Sequence, residues 1–81
     1  MNTVEKEQRL RAVFSAVLDV PIELVVPQLS PQSCDKWDSL NQIHLISAIE
    51  EEFGLEMEFG DQMRMLSFAI ALEIVALGHA D

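Results

Sequence analysis

Trp37-Asp38-Ser39-Leu40-Asn41-Gln42-Ile43-His44-Leu45-Ile46-Ser47-Ala48-Ile49-Glu50-Glu51-Glu52-Phe53-Gly54 is the stretch that decides the fold. It opens on Asp38 and Ser39, two residue types that cap helix N-termini by accepting from a free backbone N–H. It closes on Gly54, the residue best suited to the left-handed position that ends a helix. Stepping about 100° per residue from Ser39 puts Leu45, Ile49, Phe53, Ile46 and Ile43 on one continuous stripe. Leu40 falls outside it, on the outer side with His44, Ser47 and Glu51. The stretch predicts an amphipathic helix with a hydroxyl at its start, three glutamates near its end, and a leucine exposed beside the hydroxyl.

On the N-terminal side lies a long connection, 20–36, punctuated by Pro21, Pro27 and Pro31. It has room for a helical turn around Ile22-Glu23-Leu24-Val25, but its prolines forbid a full helix. Ile22, Leu24, Val25, Val26 and Leu29 are too apolar for a free linker and are expected to pack back over the helices. Ahead of it, Leu10, Val13, Phe14, Val17 and Leu18 follow i, i+3, i+4, i+7, i+8 spacing, the face of a first helix. Thr3 is its expected cap, with Glu5 and Glu7 favoured by the helix dipole in its first turns. Pro21 ends that helix near Leu18-Asp19, because the residue before a proline avoids the α region.

On the C-terminal side, Asp61 is expected to start a short turn through Gln62, Met63 and Arg64. Ser67 then caps a last helix from Phe68 to about Leu77, ended by Gly78. Phe68, Ala71, Leu72 and Val75 hold helical spacing, and Ile70 and Ile74 make this helix apolar nearly all round. It is the expected most buried element. The fold class is therefore all-α: a small four-helix bundle of three long helices and one short, with a long loop after the first. Residues 1–81 read as one domain.

The totals agree. The chain has 81 residues and is 49% hydrophobic, enough apolar material for the small core that this length permits. A net charge of −9 sets it against nucleic-acid phosphates and anionic membranes and towards basic protein surfaces. No apolar run reaches the roughly 20 residues of a membrane span. The N-terminus, polar and of mixed charge, does not resemble a signal peptide. The single Cys34 has no partner for an internal disulfide, which fits a reducing compartment. A cytoplasmic monomer, with Cys34 buried or idle, is expected.

Several chemistries fail on spacing. Three isolated glycines make no phosphate loop. His44 and His79 stand far apart with no ligand at zinc spacing. Asp35, Asp38 and Asn41 lack the glycine and closing glutamate of a calcium loop. Ser39 and His44 share one exposed helix with no oxyanion hole in view. An enzyme is not expected. The acidity is concentrated: between Asp35 and Asp61 eight carboxylates face Lys36 alone, which places −7 of the −9 in a third of the chain. Charge runs are usually solvated helix faces, but this concentration around one helix favours an electrostatic docking surface.

Asp38-Ser39-Leu40, the apolar series Ile43, Leu45, Ile46, Ala48, Ile49, and Glu50-Glu51-Glu52-Phe53-Gly54 resemble the second helix of an acyl carrier protein. The tripeptide alone is ordinary capping. With the glutamate run at its offset, the acidity, the length and the preceding loop, the resemblance is strong. It extends over the whole chain in layout and is closest from Trp37 to Gly54, while Ser67–Val75 resembles the family's last helix. It implies that Ser39 carries 4′-phosphopantetheine through a phosphodiester, installed from coenzyme A by a magnesium-dependent phosphopantetheinyl transferase, and that the arm's thiol holds an acyl chain as a thioester. Asp38 then caps the helix and helps the transferase hold its metal. Leu40, with His44, Ser47, Glu50, Glu51 and Glu52, becomes the face that meets acyl-transferring or acyl-activating enzymes with basic docking surfaces. The chemistry agrees, since a serine without a base needs an outside enzyme to activate it, and a helix N-terminus suits a phosphate.

Departures from the family are Asn41 and His44, where the carriers of fatty-acid synthesis are often acidic. Trp37 before the motif and the three prolines look like a dedicated carrier of a specialised pathway, fatty-acid, polyketide or other. An aminoacyl or peptidyl carrier is the alternative within the class. An unmodified acidic helical interaction module is the alternative outside it.

Overall fold

The computed structural model describes residues 2–78, and His79 lies outside them. Four helices follow in order: α1 Thr3–Leu18, α2 Ser39–Phe53, α3 Phe59–Arg64 and α4 Phe68–Gly78, with a single 3₁₀ turn, Ile22–Leu24, in the long connection. Among the described residues there is no strand. The expected all-α bundle, three long helices and one short, is the observed one.

The cap of α1 is Asn2, not Thr3. Asn2 is extended and its side chain accepts from the Glu5 N–H, while the Glu5 carboxylate accepts from the Asn2 N–H. This reciprocal box satisfies two free donors at once, and Thr3 is already helical. The helix ends as expected at Leu18, with Asp19 left-handed at φ 56°. Ser15 finishes the end: its hydroxyl donates to the Val20 carbonyl at 2.6 Å and its own carbonyl accepts from Val20 N–H.

The core is built by Leu10, Phe14 and Leu18 of α1, Leu45, Ile49 and Phe53 of α2, and Phe68, Ala71, Ile74 and Val75 of α4. α1 packs on both α2 and α4. Phe14 is the hub, meeting Trp37 edge-on at 5.3 Å and Phe68 edge-on at 5.2 Å. Such aromatic pairs add about 0.5–1.5 kcal/mol beyond their buried area. α4 does supply the most core residues, but its outer face is open, with Leu77 exposed.

The long connection packs back only in part. Val25 and Leu29 are buried with Cys34 and Trp37, whereas Ile22, Leu24 and Val26 are exposed. The 3₁₀ turn is too short to turn more of its side chains inward. The loop's backbone has its own task. The Leu29 carbonyl accepts from Phe68 N–H and the Pro27 carbonyl from Ala69 N–H, each at 3.0 Å. Ser67 Oγ takes the Ile70 N–H at 3.1 Å, as its capping role predicts, and the Ser67 carbonyl takes that of Ala71. The free donors of Phe68, Ala69 and Ile70 at the start of α4 are thus satisfied, and Ala71 makes the first intrahelical bond, as a partly buried helix end requires.

The short helix begins at Phe59, two residues before the expected Asp61, after Glu58 in an extended conformation. Arg64 ties it down, reaching Asp61 on its own helix at 3.2 Å and Glu73 of α4 at 3.1 Å. The hydrogen bond to Glu73, and then that to Asp61, raise the pKa of this guanidinium above its ordinary value.

Candidate functional site

Asp38 caps α2. Its backbone is extended and its carboxylate accepts from the Asn41 N–H at 2.9 Å, while its carbonyl takes the Gln42 N–H at 2.8 Å. Ser39 is therefore the first helical residue, exposed, with no hydrogen-bond partner for its hydroxyl among the described residues. The N–H groups of Ser39 and Leu40 likewise find no acceptor among the described residues. α4 has the N–H groups of Phe68, Ala69 and Ile70 bonded, and α1 leaves those of Thr3 and Val4 open; α2 too leaves two open, beside an exposed hydroxyl. Those open donors and the positive end of a 15-residue helix make a fitting place for a phosphate.

Three neighbours hold this corner still. Trp37 is only 3% exposed, so the residue two before Ser39 is fixed in the core. Its indole N–H donates to Gln42 Oε1 at 2.5 Å. Gln42 Nε2 in turn donates to the Gln62 carbonyl of α3 at 3.3 Å and to the carbonyl of Met65, just after α3, at 3.2 Å, and Gln62 Nε2 donates to the Met57 carbonyl. Asn41 Nδ2 donates to the Lys36 carbonyl at 2.7 Å. The first turn of α2 is thereby clasped to the loop before it and to α3. Neither Trp37 nor Gln42 stood out as part of the site in the sequence. The four-residue gap between an indole and an amide is no signal until α3 is placed against them.

Ser39 opens onto a cavity of about 390 Å³. Trp37, Gln42 and Gln62 line one part of it, with Pro31, Met63 and Leu66 supplying apolar surface. An exposed hydroxyl, two open amides and an adjoining, mainly apolar hollow fit a flexible arm joined through a phosphate.

The other expected site residues divide into two groups. Leu40, His44, Ser47 and Glu51 are exposed on one side of α2. His44 Nδ1 lies 3.2 Å from Asn41 Oδ1, so its observed partner is Asn41 and not Ser39. Ile43 joins this outer side, at 60% exposure, instead of the buried stripe. The stripe centres near Ile49, and Ile43 sits about 120° round the helix from it, too far for a single packed face. Glu50 and Glu52 are engaged elsewhere. Glu50 accepts from the Met57 N–H at 2.8 Å, and Glu52 pairs with Arg9 of α1 at 2.6 Å, its backbone carbonyl also accepting from that guanidinium. The Arg9 guanidinium also lies over the Phe53 ring at 5.6 Å.

No protein-family model matches the chain. Curated proteins do. It is 40% identical over 57 residues to an acyl carrier protein of Thermosynechococcus vestitus, which covers 70% of each chain. It is 34% identical over 65 residues to an acyl carrier protein of Buchnera aphidicola, 80% of each chain. It is 33% identical over 70 residues to an acyl carrier protein of Nitratidesulfovibrio vulgaris, 86% of this chain and 92% of that one. The chain belongs to the acyl carrier protein family. Members of this family are carriers rather than enzymes, and they bear a covalently attached 4′-phosphopantetheine. The geometry at the start of α2 suits such a group. Among the described residues no helix is long and apolar enough to cross a membrane, and no cluster of side chains suits a metal ion.

Proposed function

We propose that this single-domain chain is an acyl carrier whose 4′-phosphopantetheine is attached at Ser39, serving fatty-acid, polyketide or other specialised biosynthesis. The observation that carries this reading is the exposed Ser39 hydroxyl at the start of α2, unpartnered among the described residues and on the edge of a mainly apolar cavity. The open Ser39 and Leu40 N–H groups suit a phosphate there, although α1 leaves Thr3 and Val4 open in the same way. When attached, the arm supplies a terminal thiol that holds the acyl group as a thioester.

The residues of the chain bind and orient. Asp38 fixes the first turn by taking the Asn41 N–H, which holds Ser39 at the helix start. Asp38, exposed and directly before Ser39 in the chain, also helps a phosphopantetheinyl transferase keep its magnesium. Ser39 and Leu40 donate their N–H groups to the phosphodiester. Among the described residues no side chain hydrogen-bonds the Ser39 hydroxyl, so its activation falls to the transferase. The exposed face of Leu40, His44, Ser47 and Glu51 meets that enzyme and the acyl-transferring or acyl-activating enzymes that follow, whose surfaces are basic enough to be drawn to a charge of −9. A tethered cargo then reaches each active site at high effective concentration. A free buried Cys34 accords with a reducing, cytoplasmic setting.

A thiol titration tests the attachment. Cys34 is buried, so the folded chain should react slowly with a disulfide reagent. After incubation with coenzyme A, magnesium and a transferase, one fast-reacting thiol per chain should appear, in the wild type and in Cys34→Ser alike. Failure of that thiol to appear with several transferases would contradict the proposal.

A further inference from the structure

Gln42, Ile46 and Glu50 follow one another at four-residue spacing, a single row along one side of α2. Both ends of the row are tied to the segment 57–65 that contains α3. Gln42 Nε2 donates to the Gln62 and Met65 carbonyls at 3.3 and 3.2 Å, and Glu50 accepts from the Met57 N–H at 2.8 Å. Ile46, between them, is half-buried and packs against the core. Met57 and Met65, which bracket α3, are both buried, so the tied segment is also pinned by its own side chains. Behind the row the space is taken. Phe14 meets Trp37 and Phe68 edge-on, and Leu45, Ile49 and Met65 are fully buried in the same core. The indole N–H of Trp37 is itself held by Gln42, so the first tie cannot move away without stranding a buried donor.

The cavity beside Ser39 has Gln42 and Gln62 in its wall. An arm laid into it meets this stitched seam, with the aromatic hub behind. We infer that Gln42 and Glu50 keep the acyl group outside the helices, and that the cargo of this carrier is a compact acyl group, short or polar, borne in water at the end of the arm. This rests on Ser39 as the attachment point. To pass between α2 and α3, an alkyl chain must break the three hydrogen bonds across the seam and leave part-buried donors and acceptors unpaired. It must then enter a core already packed, where added methylenes force side chains from their rotamers. Left outside, each further methylene of a long chain adds apolar surface in contact with water. A short acyl group, or one bearing hydroxyl, keto or carboxylate groups, adds little.

The test loads the whole chain from acetyl-, hexanoyl- and decanoyl-coenzyme A with magnesium and a broad-specificity phosphopantetheinyl transferase, and checks each product by intact mass. Two properties are read along the series: the melting temperature, and the rate at which hydroxylamine cleaves the thioester relative to the same acyl-coenzyme A in solution. In the wild type the relative rate should stay within about twofold from acetyl to decanoyl and the melting temperature within about 2 °C, since a group that binds nothing in the folded chain does not stabilise it. Gln42→Ala cuts the first tie. Its decanoyl thioester should be cleaved about fivefold more slowly than its acetyl thioester on the same relative scale, and its melting temperature should rise with chain length. In the wild type, protection of the decanoyl thioester by more than about fivefold, with a melting temperature that climbs along the series, would overturn the exclusion while leaving Ser39 in place. A folded Gln42→Ala that protects the decanoyl thioester no better than the wild type would overturn the part assigned to Gln42. The wild-type series decides the exclusion by itself where the variant does not fold. A wild type that gains no mass from any of the three would overturn both the attachment and this inference.

Discussion

At the residue scale, Glu50 and Glu51 stand side by side with opposite assignments. Glu50 accepts from the Met57 N–H, and removing it leaves that part-buried amide without an acceptor. Glu50→Ala should cost about 1 kcal/mol, seen as a lower urea midpoint, whereas Glu51→Ala should stay within about 0.5 kcal/mol of the wild type. Equal effects of the two would contradict the assignment. The glycines differ in the same way. Gly54 has φ 62° and nothing within 4 Å of an added Cβ, so its substitution is penalised by backbone alone. Gly54→Ala should destabilise by about 1 kcal/mol. Gly60, inside α3 with no positive φ and open space around it, should respond the other way. Gly60→Ala should stabilise by about 0.5–1 kcal/mol through helix propensity. Thermal melts of the two variants should move in opposite directions, by about 4–8 °C per kcal/mol in a domain of this size.

At the element scale, α3 has six residues and none of them is buried, so little of its order comes from packing of its own. It is held by polar ties: Gln42 to the Gln62 and Met65 carbonyls, and Arg64 to Glu73. Buried Met65 anchors the chain just after it. Gln42→Ala removes the first tie and strands the buried Trp37 indole N–H. Amide exchange in α3 should then quicken markedly relative to α1, and Trp37 emission should shift. Unchanged exchange would show that the clasp is not what orders α3. These ties explain why the helices differed in legibility. α1, α2 and α4 follow from apolar periodicity, because burial of one face sets that pattern. The start of α3 at Phe59 did not follow, since a helix held by side-chain-to-carbonyl bonds leaves no periodic trace. Ile43 was misplaced for a related reason: an apolar residue at the margin of a stripe looks the same in sequence whether the margin is covered or bare. Asn2 was passed over for Thr3 because adjacent capping residues compete, and only the reciprocal bond with Glu5 decides between them.

At the scale of the whole molecule, the long connection does two things at once. It carries Trp37 into the core against Phe14, and it lends the carbonyls of Pro27 and Leu29 to the start of α4. The corner at Ser39 is therefore rigid on its inner side and bare on its outer side, the arrangement a carrier needs to present a tethered group to successive enzymes. Ser39 and its exposed leucine were legible from the sequence, because the cap, the helix and the glutamate run stand at fixed offsets. The division of the glutamates was not, since Arg9 and Met57 reach them from elsewhere in the fold. The most direct test of the central claim is the intact mass of the chain after incubation with coenzyme A, magnesium and a phosphopantetheinyl transferase. The wild type should gain the mass of one phosphopantetheine and Ser39→Ala should gain none. No gain in the wild type with several transferases, or an equal gain in Ser39→Ala, would contradict it.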